Sequence, residues 1–140
     1  MLTTPDRVPG RPTILVVEDD DLLRALPCDL LAGRGDRVFS ASDGRYAFEL
    51  TVEHRPHAIV LDPRLSITSG WLVLERLRAS ALTRHIPVLA LSADPEAAGD
   101  SAGAAADVYV GMPFDVDVLL QQVEVLVRRG AGASPLLARA

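Results

Sequence analysis

The sequence predicts an α/β domain with a doubly wound (βα)5 arrangement around a parallel sheet, and three observations carry that prediction. Short apolar runs alternate with helix-like stretches five times along the chain. The runs are nearly continuous rather than period-two, as strands covered on both faces require. The length of 140 residues suits one domain, long enough to bury a core without disulfides or structural metals. Strict strand–helix alternation implies parallel strands joined by right-handed crossovers.

Residues 1–12 (MLTTPDRVPGRP) hold three prolines and a glycine and read as a flexible lead-in to a domain spanning 13–129. Thr13 to Val17 (TILVV) is the first strand. A helix follows from about Asp21 to Ala32, with Asp20 or Asp21 as N-cap and Gly33 and Gly35 past its end; Pro27 should kink it or break it in two. Arg37 to Ala41 is the second strand, and Asp43 to Glu53 a helix with Asp43 near its cap. His57 to Leu61 (HAIVL) is the third strand and runs directly into Asp62. A loop over Pro63 to Ser69 leads to Gly70 to Ala79, whose apolar residues recur at helical spacing. Ile86 to Leu91 is the fourth strand. Pro95 to Ala106, rich in Ala, Gly and Asp, predicts a weak, mobile helix. Val108 to Val110 is the fifth strand and Asp115 to Arg129 the last helix, with an acid at its start and two arginines at its end. Residues 130–140 carry no packing pattern and read as a disordered tail or the start of a linker.

Composition narrows the function classes. About half the residues are hydrophobic and only 4% aromatic, so the core is mostly Val, Leu, Ile and Ala. A net charge of −5 argues against direct contact with nucleic acid, which needs a basic footprint. No apolar run approaches the ~20 residues that span a bilayer, and the N-terminus lacks the apolar segment of a signal peptide. The single cysteine, Cys28, excludes an internal disulfide and suits a reducing compartment, so the expected location is cytoplasmic.

In an open α/β sheet, ligands bind beyond the carboxyl ends of the strands, where the strand order reverses. Those ends carry Glu18, Asp19 and Asp20 after the first strand, Asp62 after the third, Ser92 and Ala93 after the fourth, and Met112, Pro113 and Phe114 after the fifth. Carboxylates converging on one edge need a cation or raised pKa values to coexist. Oxygen-only ligands favour a hard ion such as Mg²⁺. A carboxylate facing bound Mg²⁺ can act as a nucleophile toward phosphorus, and Asp62 is the residue best placed to do so. Asp20 or Asp21 is assigned to helix capping alone.

Four motifs in order resemble the receiver domains of response regulators in bacterial two-component signalling. ILVVEDD is similar to their first strand and acidic pocket. IVLDPRLSITSG resembles their phosphoacceptor strand and loop, with a glycine eight positions after the aspartate. VLALSA resembles their fourth strand, and VYVGMPF their aromatic switch strand and Lys-Pro-Phe turn. The match runs from about Thr13 to Arg129 and implies a flavodoxin-like five-stranded sheet in the order 2-1-3-4-5. It also implies that Glu18, Asp19, Asp62 and the backbone carbonyl of Arg64 hold Mg²⁺ (or Mn²⁺), and that Asp62 takes a phosphoryl group from a histidine kinase or phosphotransfer protein. Ser92 and the backbone of Ala93 would bind the phosphoryl oxygens, Tyr109 would swing inward behind Ser92, and Pro113 would follow a cis peptide. Output would pass to a downstream protein target, from a stand-alone domain or a fragment of a longer chain.

Three departures stand beside this resemblance. Met112 occupies the position of the family's lysine and supplies neither its charge nor its donors. Ser66 replaces a usual proline, and Ser69 a frequent acid. Arg64, two residues past Asp62, is a candidate substitute for the lysine. Met112 favours an alternative function, a pseudo-receiver that binds partners without switching on phosphorylation. A multiple-turnover phosphatase of the haloacid-dehalogenase type is disfavoured, because Arg64 stands where such enzymes carry a second acid and no cap is present. A flavodoxin is disfavoured because no hydroxyl- and glycine-rich phosphate loop follows the first strand. The domain is therefore not expected to be an enzyme beyond single-turnover self-phosphorylation and dephosphorylation. His54, His57 and His85 have no ligand spacing, Cys28 reads as a buried thiol, and Trp71 reads as a packing residue that could report metal binding by fluorescence. The stripe Val116, Leu119, Leu120, Val123, Leu126 and Val127 is mostly core, with part available for a homodimer face.

Overall fold

The computed structural model describes residues 10–65, 69–92 and 106–132, the last three by backbone only. Its elements in chain order are β1 (Thr13–Val17), α1 (Asp21–Arg34), β2 (Arg37–Ala41), α2 (Gly44–His54), β3 (Ala58–Leu61), α3 (Gly70–Ala79), β4 (Val88–Ser92), β5 (Val108–Gly111) and α4 (Val116–Gly132). The strands form one sheet in the order β2-β1-β3-β4-β5, and every neighbouring pair is parallel. The order reverses between β1 and β3, which fixes the crevice where a ligand would sit.

Residue alternation along the strands builds two cores. Leu15, Val17, Ile59, Leu61 and Ala90 face one side and pack with Ala47 of α2 and Val73, Leu74 and Leu77 of α3. Ile14, Val16, Ala58, Val60, Leu89, Leu91 and Val110 face the other, against Leu31 of α1 and Leu119, Val123 and Leu126 of α4. Burying each such Leu or Ile stabilises the fold by about 1.5–3 kcal/mol relative to leaving it exposed. Among the described residues, no helix is long and apolar enough to cross a membrane.

Several boundaries differ from the sequence reading, each for a local reason. α1 is not broken at Pro27: it runs as one helix with the proline buried inside it. The proline removes one hydrogen bond, but strong caps hold both ends of the helix. Asp20 accepts from the backbone N–H of Leu22 and Leu23 at the start. At the end Gly35, at φ 106°, donates to Ala32 while Asp36 donates to Leu31, the paired bonds of a Schellman motif. Gly33 therefore lies inside α1 rather than past it. α2 starts at Gly44 because Asp43 is its N-cap, accepting from the N–H of Arg45. β4 starts at Val88 because Ile86 bonds back to Thr83 and Pro87 has no N–H to give. α4 begins after Asp115, which caps it through Asp117 and Val118, and continues over Gly130 to Gly132; glycine weakens a helix without removing a donor. The helix expected over Pro95 to Ala106 lies outside the described residues except for Ala106.

Candidate functional site

The switch-point crevice is built by extending the strand ladders one residue past β1 and β3. The N–H of Glu18 donates to Ala41 at 3.0 Å, and that of Asp62 to Val17 at 3.0 Å. Both acids are thereby fixed at the rim of the sheet and both are buried, Glu18 at 4% exposure and Asp62 at 6%. Asp19 is half-buried beside them. The Oδ1 of Asp62 accepts the N–H of Arg64 at 2.8 Å, which orients the carboxyl group. The Oε2 of Glu18 accepts the N–H of Asp20 at 3.3 Å.

Burial pushes Glu18 up to about 8, helped by its hydrogen bond to the Asp62 carboxyl, by the charge of Asp62 and by contact with Asp19; the N–H of Asp20 opposes the shift. A divalent cation would compete with the Glu18 proton for the same oxygens. Among the described residues no three acidic, His or Cys side chains form a ready ligand set. Two carboxylates with a loop carbonyl nonetheless fit the needs of Mg²⁺, which takes one or two carboxylates and keeps several waters.

One residue of this site is absent from the sequence reading. Arg24, on the first turns of α1, donates to the backbone carbonyls of Glu18 at 3.0 Å and Asp19 at 3.5 Å, and pairs with Asp21 at 2.6 Å. It holds the acidic loop from behind. The only signal was an arginine one turn past an N-cap, which ordinarily reads as a solvated charge.

The floor of the crevice is close-packed. A Cβ built on Gly70 would lie 2.4 Å from the Cα of Pro63 and 2.6 Å from the carbonyl oxygen of Asp62, and the N–H of Gly70 donates to Pro63 at 2.9 Å. The start of α3 is thus seated directly on the Asp62 loop. Ser69 caps this helix, its Oγ accepting from the N–H of Trp71 at 3.2 Å.

On the other side, Ser92 is buried at the end of β4, and its carbonyl accepts the N–H of Met112 at 2.9 Å. The Met112–Pro113 peptide is cis. The Met112 side chain is half-buried and packs with Phe114 against the core beneath α1 and α4. Tyr109 is 37% exposed; its hydroxyl oxygen accepts the N–H of Ala106 at 3.1 Å, and its ring lies 6.3 Å from that of Trp71 at a tilt of 46°. The side chain of Arg64 is exposed. Ala93 and Ser66 lie outside the described residues.

The other singled-out residues do not join this site. His54 stacks on Phe39 at 3.8 Å, and the Nδ1 of His57 accepts the N–H of Thr13 at 2.9 Å. Cys28 is half-buried and its thiol is pushed up by burial. Of the α4 stripe, Leu119, Val123 and Leu126 are fully buried and Val116 is exposed.

Comparison with known proteins points in one direction. The family model of the response regulator receiver domain matches residues 14–124. The DNA-binding dual master transcriptional regulator RpaA of Synechocystis sp. is 37% identical over 120 residues, covering 84% of this chain and 50% of that protein. The transcriptional regulatory protein PrrA of Mycobacterium tuberculosis is 40% identical over 123 residues, covering 84% and 51%. The chain thus spans about half the length of the curated relatives it matches. Among solved structures, a putative response regulator from Chloroflexus aurantiacus superposes with a TM-score of 0.79 at 28% identity, over 85% of this chain and 99% of that one. The receiver domain of the sensor histidine kinase PA1611 from Pseudomonas aeruginosa, which holds a magnesium ion in its active-site cleft, gives a TM-score of 0.78 at 26% identity, over 84% and 98%.

Proposed function

This chain belongs to the response-regulator receiver family, and from that premise we propose that Asp62 is its phosphoacceptor, charged by a histidine kinase or phosphotransfer protein. The observation that carries the reading is the burial of Asp62 in contact with Glu18 at the switch point, with its Oδ1 held by the N–H of Arg64. Glu18, Asp19, Asp62 and the carbonyl of Arg64 are the residues assigned to Mg²⁺ (or Mn²⁺), the ion whose presence in a similar domain is noted above. When bound, the ion offsets the charge on the transferring group.

The protein's own part is positioning. A carboxylate oxygen of Asp62 attacks the phosphorus of a phosphohistidine; the O–P bond forms as the N–P bond breaks, and the imidazole leaves. Ser92, with the backbone of Ala93, is assigned to the phosphoryl oxygens, and Tyr109 to the response on the β5 face. Members of this family are signalling modules rather than turning-over enzymes, and any dephosphorylation here is a single-turnover event. Output is assigned to a protein target, with a homodimer as one form of it. The names of the relatives attach DNA binding to those longer proteins; at a net charge of −5, this chain is assigned no direct contact with nucleic acid. With its lone thiol, the domain is assigned to the cytoplasm.

Intact-mass spectrometry after incubation with Mg²⁺ and acetyl phosphate tests the reading. One phosphoryl group is expected on the wild type and none on Asp62→Asn. An unmodified wild type, with Mg²⁺ binding shown separately, overturns it. That result would favour the second reading, a binding module that does not switch on phosphorylation. Met112 is the observation behind it: a neutral thioether packed against the core stands where the family carries a lysine.

A further inference from the structure

We infer that Trp71 is a positioning residue that holds the Tyr109 ring outward and ties its place to the loop carrying Asp62; this rests on the reading of Asp62 as phosphoacceptor. Three contacts in series make the connection. Gly70 sits on the backbone of Asp62 and Pro63 so closely that no Cβ fits between them. Trp71 is the next residue, fixed at its N–H by Ser69 and packed in part against the core under α3. Its ring then meets that of Tyr109 at 6.3 Å between centroids, within the range of favourable aromatic pairs.

Tyr109 has little else to keep it outward among the described residues. Its hydroxyl oxygen accepts one backbone bond, from Ala106. On β4 it pairs with Ala90, and Ser92 lies two residues further along the same face. Both neighbours are small, so bulk on the sheet does not oppose inward movement. With Met112 in place of a cation, the packing from Asp62 through Gly70 to Trp71 offers a path from the acceptor to the β5 face that needs no charged side chain.

The sequence contains two tyrosines, so a Tyr46→Phe background labelled with 3-fluorotyrosine reports Tyr109 alone. The measurement is the change in its ¹⁹F shift between H₂O and D₂O, which tracks solvent exposure, with phosphoryl occupancy read by intact mass. In this background we expect a large solvent effect that falls on phosphorylation. Trp71→Leu should lower it by half or more before any phosphorylation, because the released ring moves inward, while adduct yield stays within twofold. Trp71→Met carries the same comparison if the leucine variant does not fold, and Trp71→Phe should behave as wild type.

A solvent effect unchanged or larger in the leucine or methionine variant overturns the inference, since a ring merely lying beside Trp71 becomes more exposed when the indole is removed. A Phe variant behaving like the leucine variant overturns the aromatic contact as the cause. If the wild type takes no phosphoryl group, the reading of Asp62 falls, while the unphosphorylated spectra still decide whether Trp71 holds Tyr109.

Discussion

Burial and the Asp62 carboxyl raise Glu18 from 4.5 to about 8, so between those values the folded protein binds a proton that the unfolded chain has released. Stability must then fall as pH rises through that window and level off above it. In chelator-containing buffer, the wild-type thermal midpoint should drop by several degrees from pH 5 to pH 8. Glu18→Gln, which cannot ionise, should remove most of that slope, and a slope equal to wild type would show that Glu18 is not its source. The placement of Glu18 and Asp62 at one edge was legible in the sequence because each directly follows an apolar run, and topology alone brings those ends together. Arg24 was not, because its role is to grip two backbone carbonyls, which no pattern of side chains announces. The Trp71–Tyr109 contact was equally hidden, since it joins residues on different elements far apart in sequence.

The strands were read nearly to the residue because a buried parallel strand leaves a continuous apolar run with sharp ends. Helix interiors and stops were read less well. Pro27 is tolerated where local rules predict a kink or a break, and Gly33 and Gly130 to Gly132 continue helices where glycine suggests an end; in α1, packing and capping outweigh a local cost of about 1–3 kcal/mol. The contact between α3 and the loop after β3 gives a direct test at this scale. Gly70→Ala places a methyl carbon against backbone that cannot rotate away, at a cost of about 1–3 kcal/mol. Urea unfolding should show that loss, and under the proposed role of Asp62 its rate of phosphorylation should fall as well because the loop is displaced. Retention of both stability and rate would mean that α3 shifts freely.

At the scale of the whole molecule, helices pack on both faces of the sheet, and among the described residues the acidic rim is the one place where buried carboxyl groups meet. A cation there should act on global stability. Mg²⁺ at about ten times its dissociation constant stabilises the fold by roughly 1.4 kcal/mol, which raises the thermal midpoint by about 3–5 °C for a domain of this size. Calorimetry should show that rise in the wild type and its near absence in Asp19→Asn; an equal rise in both would place the ion elsewhere. The parallel sheet followed from pattern and its strand order from the family resemblance, whereas the energetic character of the rim emerged only once burial was known. The seating of Gly70 has a bearing on divergence as well. It answers to the main-chain oxygen of residue 62 and the main chain of residue 63, not to the carboxylate. A descendant that lost the Asp62 carboxylate through mutation would still be under pressure to keep this glycine, and so would carry the imprint of this loop's packing long after the side chain had gone.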